Sequence, residues 1–180
     1  MKLIYLLITM TIMTNTPQFN FGRKNNTDIW RIVNDDVMGG KSNSKIEEKE
    51  NSIIFKGHTS LENNGGFASM RTLIPKGALK ECKTLSIRFK SADTSRTFGI
   101  SLKSSQKYYI PYYKFTFSPK SEDWQELTIK LSDFDYYKIS EKMEDSMPLG
   151  FLKDVYNIAL IISDGKEGAF QIEIDYIKFE

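Results

Sequence analysis

What most constrains this chain is an alternation of apolar and polar residues that returns along most of its length. Thr84–Lys90 sets Leu85, Ile87 and Phe89 on one side and Ser86, Arg88 and Lys90 on the other. A period of two places each set on its own face of a strand, so this is a sheet with one buried face. Residues 124–131 repeat the pattern, with Leu127, Ile129 and Leu131 against Glu126, Thr128 and Lys130. Residues 170–174 repeat it again with Phe170, Ile172 and Ile174. Residues 52–57 read as a short strand closed by Gly57, and residues 97–103 and 108–117 as two more. Residues 155–163 are apolar on both faces, which predicts a central strand. The helical signal is confined to residues 140–145, ahead of Pro148. Residues 135–152 form the longest stretch without strand patterning and read as a long loop. The expected fold is all-β, an antiparallel β-sandwich of the jelly-roll type.

Length and charge narrow the function classes. A chain of 180 residues accommodates one domain. Its 25 basic and 23 acidic residues leave a net charge of +2, too even for a phosphate-tracking surface, so nucleic acid is not expected as a partner. One Cys excludes an intrachain disulfide framework, and one His excludes the two-His zinc motifs. At the N-terminus, Met1-Lys2 precedes an apolar run over residues 3–13, too short for the roughly 20 residues a membrane-crossing helix needs. The run fits the apolar core of a secretory leader, although Thr14-Asn15-Thr16 is not an A-x-A cleavage site. The expected organisation is a leader over residues 1–16 and one sandwich domain over residues 17–180. Cleavage of the leader implies a periplasmic or secreted protein, and retention implies a cytoplasmic one.

Two Gly-Gly segments stand out, Asn34-Asp35-Asp36-Val37-Met38-Gly39-Gly40-Lys41-Ser42 and Glu62-Asn63-Asn64-Gly65-Gly66-Phe67-Ala68-Ser69-Met70-Arg71. Paired glycines permit positive φ and close backbone approach, which serves a ligand or an ordinary tight turn between strands. Neither segment is a phosphate loop, because the upstream Gly of G-x-x-x-x-G-K-[ST] is missing. Catalytic constellations are sparse. His58 reads as an edge residue, Asp35 and Asp36 face opposite ways if extended, and Glu173 with Asp175 reads as a solvated outer stripe. The D-x-[DN]-x-[DN]-G pattern of a calcium loop does not occur, so no metal is expected, nor any other cofactor. Cys82 reads as a half-buried small residue. Tyr108, Tyr109, Tyr112 and Tyr113 surround Pro111, which favours an edge or bulge, and Tyr136-Tyr137 follow in the long loop. Displayed rings can stack on sugars or anchor a protein, and inward rings fill a core.

The paired Gly-Gly motifs carry a resemblance. Together with Trp124, Leu131-Ser132-Asp133-Phe134, and residues 161–170 leading to Ile174-Asp175-Tyr176-Ile177, they resemble the complex I intermediate-associated protein 30 family over roughly residues 19–179. The resemblance implies a galactose-binding-like β-sandwich and a non-catalytic, assembly-factor or chaperone-like role. It also implies a protein partner, such as a membrane-complex subunit or assembly intermediate. The expected contact surface is the two loops, with Asp35, Met38, Gly39, Gly40, Ser42, Asn63, Asn64, Gly65, Gly66 and Arg71. The chain departs from the family where a Pro and an Arg-Gly pair are usual, reading Asp135-Tyr136-Tyr137-Lys138-Ile139 instead. The alternative is a carbohydrate-binding module of an exported bacterial protein, on the strength of the Tyr clusters.

Overall fold

The computed structural model describes residues 16–22, 27–107, 109–138 and 141–180, so most of the expected leader and Tyr108 lie outside the described residues. The strands are β1 (Gln18–Asn20), β2 (Arg31–Asn34), β3 (Asn43–Glu48), β4 (Ile53–Thr59), β5 (Ala68–Leu73), β6 (Thr84–Lys90) and β7 (Phe98–Lys103). They continue with β8 (Tyr112–Phe117), β9 (Gln125–Lys130), β10 (Asp135–Lys138), β11 (Glu141–Ser146), β12 (Asn157–Ile162) and β13 (Gly168–Phe179). Short 3-10 turns separate several of them, and the described residues contain no α-helix.

The strands form two antiparallel sheets. One runs β3-β4-β13-β6-β9, with β1 added to β13. The other runs β11-β10-β8-β7-β12-β5-β2. The alternating residues face each other across the sandwich as their period demands. Leu85, Ile87, Phe89, Ile172 and Ile174 come from the first sheet, and Met70, Phe98, Ile100, Leu102, Ile158 and Leu160 from the second, all buried. Each such side chain contributes about 1.5–3 kcal/mol by leaving water. β12 is central, as its apolar faces predict, pairing with β7 on one side and β5 on the other. In β13 a bulge leaves Asp175 unpaired between Ile174 and Tyr176, which keeps both Ile174 and Ile177 inside.

The structure departs from several of these expectations. Over the described residues 141–145 the helix expected at residues 140–145 is instead part of the strand β11, Ser140 lying outside the described residues. The expected loop over residues 135–152 contains the paired strands β10 and β11 and a 3-10 turn at Leu149–Asp154. The charges of Glu141 and Lys142 favour a helix locally, but they equally suit a solvent-facing strand at a sheet edge. Pro111 marks neither an edge nor a bulge. It immediately precedes β8, an interior strand, where its missing N–H costs no ladder bond. Asp35 and Asp36 are not extended but open a 3-10 turn, Asp35–Met38, in which Asp35 is buried and Asp36 exposed. Glu173 is not solvated either. It is 8% exposed, accepting from Ser52 Oγ at 2.7 Å and lying 3.1 Å from Lys49 Nζ.

Candidate functional site

The two Gly-Gly loops meet around one carboxylate. Asp35 accepts at Oδ1 from Ser42 N (2.9 Å) and at Oδ2 from Ser42 Oγ (2.5 Å), Gly66 N (2.6 Å) and Phe67 N (3.2 Å). Ser42 Oγ in turn accepts from Ser60 N at 2.9 Å. Burial acts most strongly on Asp35 and pushes its pKa up. The bonds from Ser42, Gly66 and Phe67 together outweigh burial and hold the carboxyl below its ordinary range. The glycines divide their work. Gly39 and Gly66 take positive φ, at 89° and 121°. A Cβ at Gly40 would collide with the Asp35 carboxylate, and one at Gly65 would sit 2.6 Å from Oδ2. Each pair thus supplies one turn residue and one close approach.

The outer surface of this knot is different in kind. Asn63 and Asn64 adopt positive φ and are exposed, with Asn63 Nδ2 donating to Gly39 O at 2.9 Å. Lys41 pairs with Glu62 across the loops. Val37 (67% exposed), Met38 (64%) and Leu61 (44%) stand in solvent. The structure therefore brings Asp35, Met38, Gly39, Gly40, Ser42, Asn63, Asn64, Gly65 and Gly66 to one end of the sandwich. Asp35 and Ser42 lie inside that end and Met38 on its surface.

Arg71 is carried elsewhere. It lies on β5 opposite Arg31 of β2 and Ala159 of β12, on the face of the seven-stranded sheet turned away from the core. Ladder register brings Lys103 of β7 and Lys114 of β8 to the same face, with Tyr112 and, on β10, Tyr137. Arg31, Arg71, Lys103, Leu73 and Asn157 line a hollow of about 670 Å³ there. Lys103 Nζ lies 4.6 Å from the Tyr112 ring centre, and Lys114 Nζ 4.2 Å from that of Tyr137. The two rings stack 5.7 Å apart at 22°. Burial, then Arg71 and then Lys114, pushes the Lys103 ammonium down to about 8. Tyr113 and Tyr136 point the other way and pack together against the core. The aromatic cluster is thus split between core and surface, alternate residues taking alternate faces. Sequence reading missed Lys103 and Lys114, although the parity of their strands, counted from the apolar residues, was the available signal.

The remaining chemistry-bearing residues are placed simply. His58 is exposed on β4. Cys82 is buried in the core, and burial pushes its thiol up. Among the described residues no group of three or more metal-ligating side chains forms, and no helix is long and apolar enough to cross a membrane.

Comparisons with known proteins agree on fold and family. The family model described as Complex I intermediate-associated protein 30 matches residues 19–174. The mouse protein named Complex I intermediate-associated protein 30, mitochondrial, is 25% identical, with 88% of this chain and 54% of that protein covered. The chain thus spans about half the length of that relative. Among solved structures, a family 11 carbohydrate-binding module from Clostridium thermocellum, in complex with a β-1,3-1,4-mixed-linked tetrasaccharide, superposes with a TM-score of 0.64 at 15% identity. That superposition covers 91% of this chain and 95% of the module. The agarase AgWH50C superposes with a TM-score of 0.58 at 10% identity, covering 90% of this chain and 24% of the enzyme. These likenesses show the β-sandwich fold.

Proposed function

Because the chain belongs to the complex I intermediate-associated protein 30 family, we propose that it is a non-catalytic binding domain that holds a protein partner through its two Gly-Gly loops, in the manner of an assembly factor. The observation that carries this reading is the pairing of a rigid interior with an apolar exterior at the same loops. Asp35 accepts four hydrogen bonds and fixes both backbones, while Val37, Met38 and Leu61 remain in water. Apolar side chains held on a preorganised backbone lose little entropy on docking, which is how a small patch becomes an anchor. Asp35, Gly40, Ser42 and Gly65 act by shaping the surface. Met38, Asn63 and Asn64 supply it.

The mouse relative's name supports a membrane-complex subunit or assembly intermediate as the partner class. The test is a photo-crosslinker at Met38, compared with one at Lys130 on the far sheet, in detergent-solubilised native membranes. The expected result is a defined membrane-complex subunit recovered from the crosslinker at Met38 and lost at least tenfold when the same crosslinker is carried by the Val37→Asp/Leu61→Asp variant. Recovery of the same proteins from both positions, or with that variant, overturns the reading.

Sugar binding is the second reading, favoured by the Tyr112–Tyr137 pair beside the hollow of about 670 Å³. Sugar rings stack on open aromatic faces. Here each ring already carries the other ring and an ammonium group, so the protein partner remains the conclusion.

A further inference from the structure

The outer face of the seven-stranded sheet carries cations that form no ion pair among the described residues. Arg31, Arg71, Lys103 and Lys114 all project there. Of the carboxylates nearby, Asp135 stands opposite Lys114 in the ladder but lies 2.8 Å from Lys142, and Asp28 sits at the rim of the hollow. Arg71 Nε donates to a hydroxyl, Ser69 Oγ, at 2.9 Å. Lys103 and Lys114 lie over tyrosine rings. The opposite outer face shows that this is not a general property of the surface. There, Lys45 and Lys56 share Glu47, Lys49 and Lys90 flank Glu173, and Arg88 pairs with Asp175. Among the described residues, that face pairs these cations with carboxylates, whereas Arg31, Arg71, Lys103 and Lys114 have no such partner.

Burial adds to the contrast. Lys114 is only 9% exposed, and Ser101, opposite Lys114 and Ala159 in the ladder, is 1% exposed. Ser101 Oγ and Asn157 Oδ1 are buried and find no hydrogen-bond partner among the described residues. A buried acceptor without a donor is costly, and so is like charge crowded into a partly desolvated face. Both costs fall when a ligand brings N–H donors and carboxylates together.

We propose that this face binds an acidic peptide segment in extended conformation, with alternate carboxylates taken by Arg71, Lys103 and Lys114 and a backbone N–H donated to Asn157 Oδ1. The dimensions agree. From Lys114 on β8 across β7 and β12 to Arg71 on β5 is three strand spacings, about 14 Å, and an extended peptide covers that in about five residues. Side chains on one face of such a peptide recur about every 6.8 Å, so three carboxylates span about 14 Å, the reach from Lys114 to Arg71 along one ladder row, with Lys103 two residues along β7 from that row. The inference rests on the protein-partner reading but uses a surface distinct from the loops. Crosslinking at Met38 and titration of this face can each fail alone.

The experiment is calorimetric titration of the full chain with acetylated hexaglutamate amide, with hexaglutamine as the neutral control and trigalacturonate as an acidic sugar. Saturable hexaglutamate binding is expected, absent with hexaglutamine and weakening as salt rises. The Arg71→Met/Lys103→Met variant is expected to bind at least tenfold more weakly, while Lys130→Met on the other sheet, removing a charge elsewhere, binds as the parent does. Thermal melts of both variants read folding separately. Absence of hexaglutamate binding, equal binding by Arg71→Met/Lys103→Met, or tighter binding of trigalacturonate than of hexaglutamate overturns the proposal.

Discussion

Asp35 and Lys103 are both charged side chains withdrawn from water, and they have opposite surroundings. Asp35 finds every donor it needs inside the chain, from Ser42, Gly66 and Phe67, so ionisation is favoured despite burial. Lys103 finds a tyrosine ring and two further cations, so its charge is disfavoured where it stands. A charge satisfied from within has a structural role. A charge left unsatisfied by the fold is either tolerated at a cost or completed by something outside. The loop knot and the sheet face differ on this point, and substitution can read the difference as stability.

The largest effect is expected at the knot. Asp35→Ala strips the acceptor from four donors on two loops, and each buried donor left unpaired costs about 1–3 kcal/mol. Because the site lies near the surface and water can relieve part of this, the expected loss is about 3 kcal/mol by chemical denaturation. Asp35→Asn keeps one acceptor oxygen but turns an NH₂ toward donors, and should lose about 2 kcal/mol. The pH dependence has a definite sign. The folded pKa lies below the unfolded one, so the stabilisation is complete above about 4 and is lost as pH falls through the folded value. Asp35→Ala should remove that part of the acid limb. Wild-type stability in the alanine variant would break the comparison.

A carboxylate on the other sheet sharpens it. Glu173 is paired from within like Asp35, but by Ser52 and the half-exposed Lys49 and Lys90 instead of two loop backbones. Glu173→Gln retains a polar group of the same shape, so a loss of about 1 kcal/mol is expected in the same denaturation assay. A loss as large as that of Asp35→Ala would mean that ion pairing, not the tying of two backbones, sets the scale.

These regions were not equally legible in the sequence. Leu85, Ile87 and Phe89 announce β6 because one face of the sheet is dry, and a one-residue slip would expose all three. β11 is not announced, since Glu141, Lys142 and Met143 satisfy an edge strand and a helix equally well. The Gly-Gly loops were recognisable as special, yet the burial of Asp35 depends on Gly66 and Phe67, which lie more than thirty positions further along. Arg71 shows the reverse problem. It follows the second motif closely, but β5 carries it onto the sheet face, where its neighbours are Arg31 and Ala159. Parity along β7 and β8 could have put Lys103 beside Tyr112. Placing Arg71 beside them needs the strand order, which alternation does not encode.

The smallest effect, and the most diagnostic, is expected at Lys103. Burial lowers its pKa most, Arg71 and Lys114 add to that, and the folded value is about 8. The unfolded value is near 10.4, so between these two pH values the unfolded chain holds a proton that the folded chain has released. Folding stability should therefore rise with pH across this window, and the penalty for holding the charge is fully present below about 8. Lys114, also lowered by burial, acts in the same direction, with Asp135 opposing it. Burial pushes Tyr112 and Tyr137 upward, so neither supplies an anion early in the window. Lys103→Met should flatten the rise and, at pH 7, gain about 1 kcal/mol or less, because the end of a lysine can still reach solvent. Thermal melts from pH 7 to 10 read both effects. A variant that loses stability at pH 7 would mean the ammonium is already satisfied, and the sheet face would then resemble the knot.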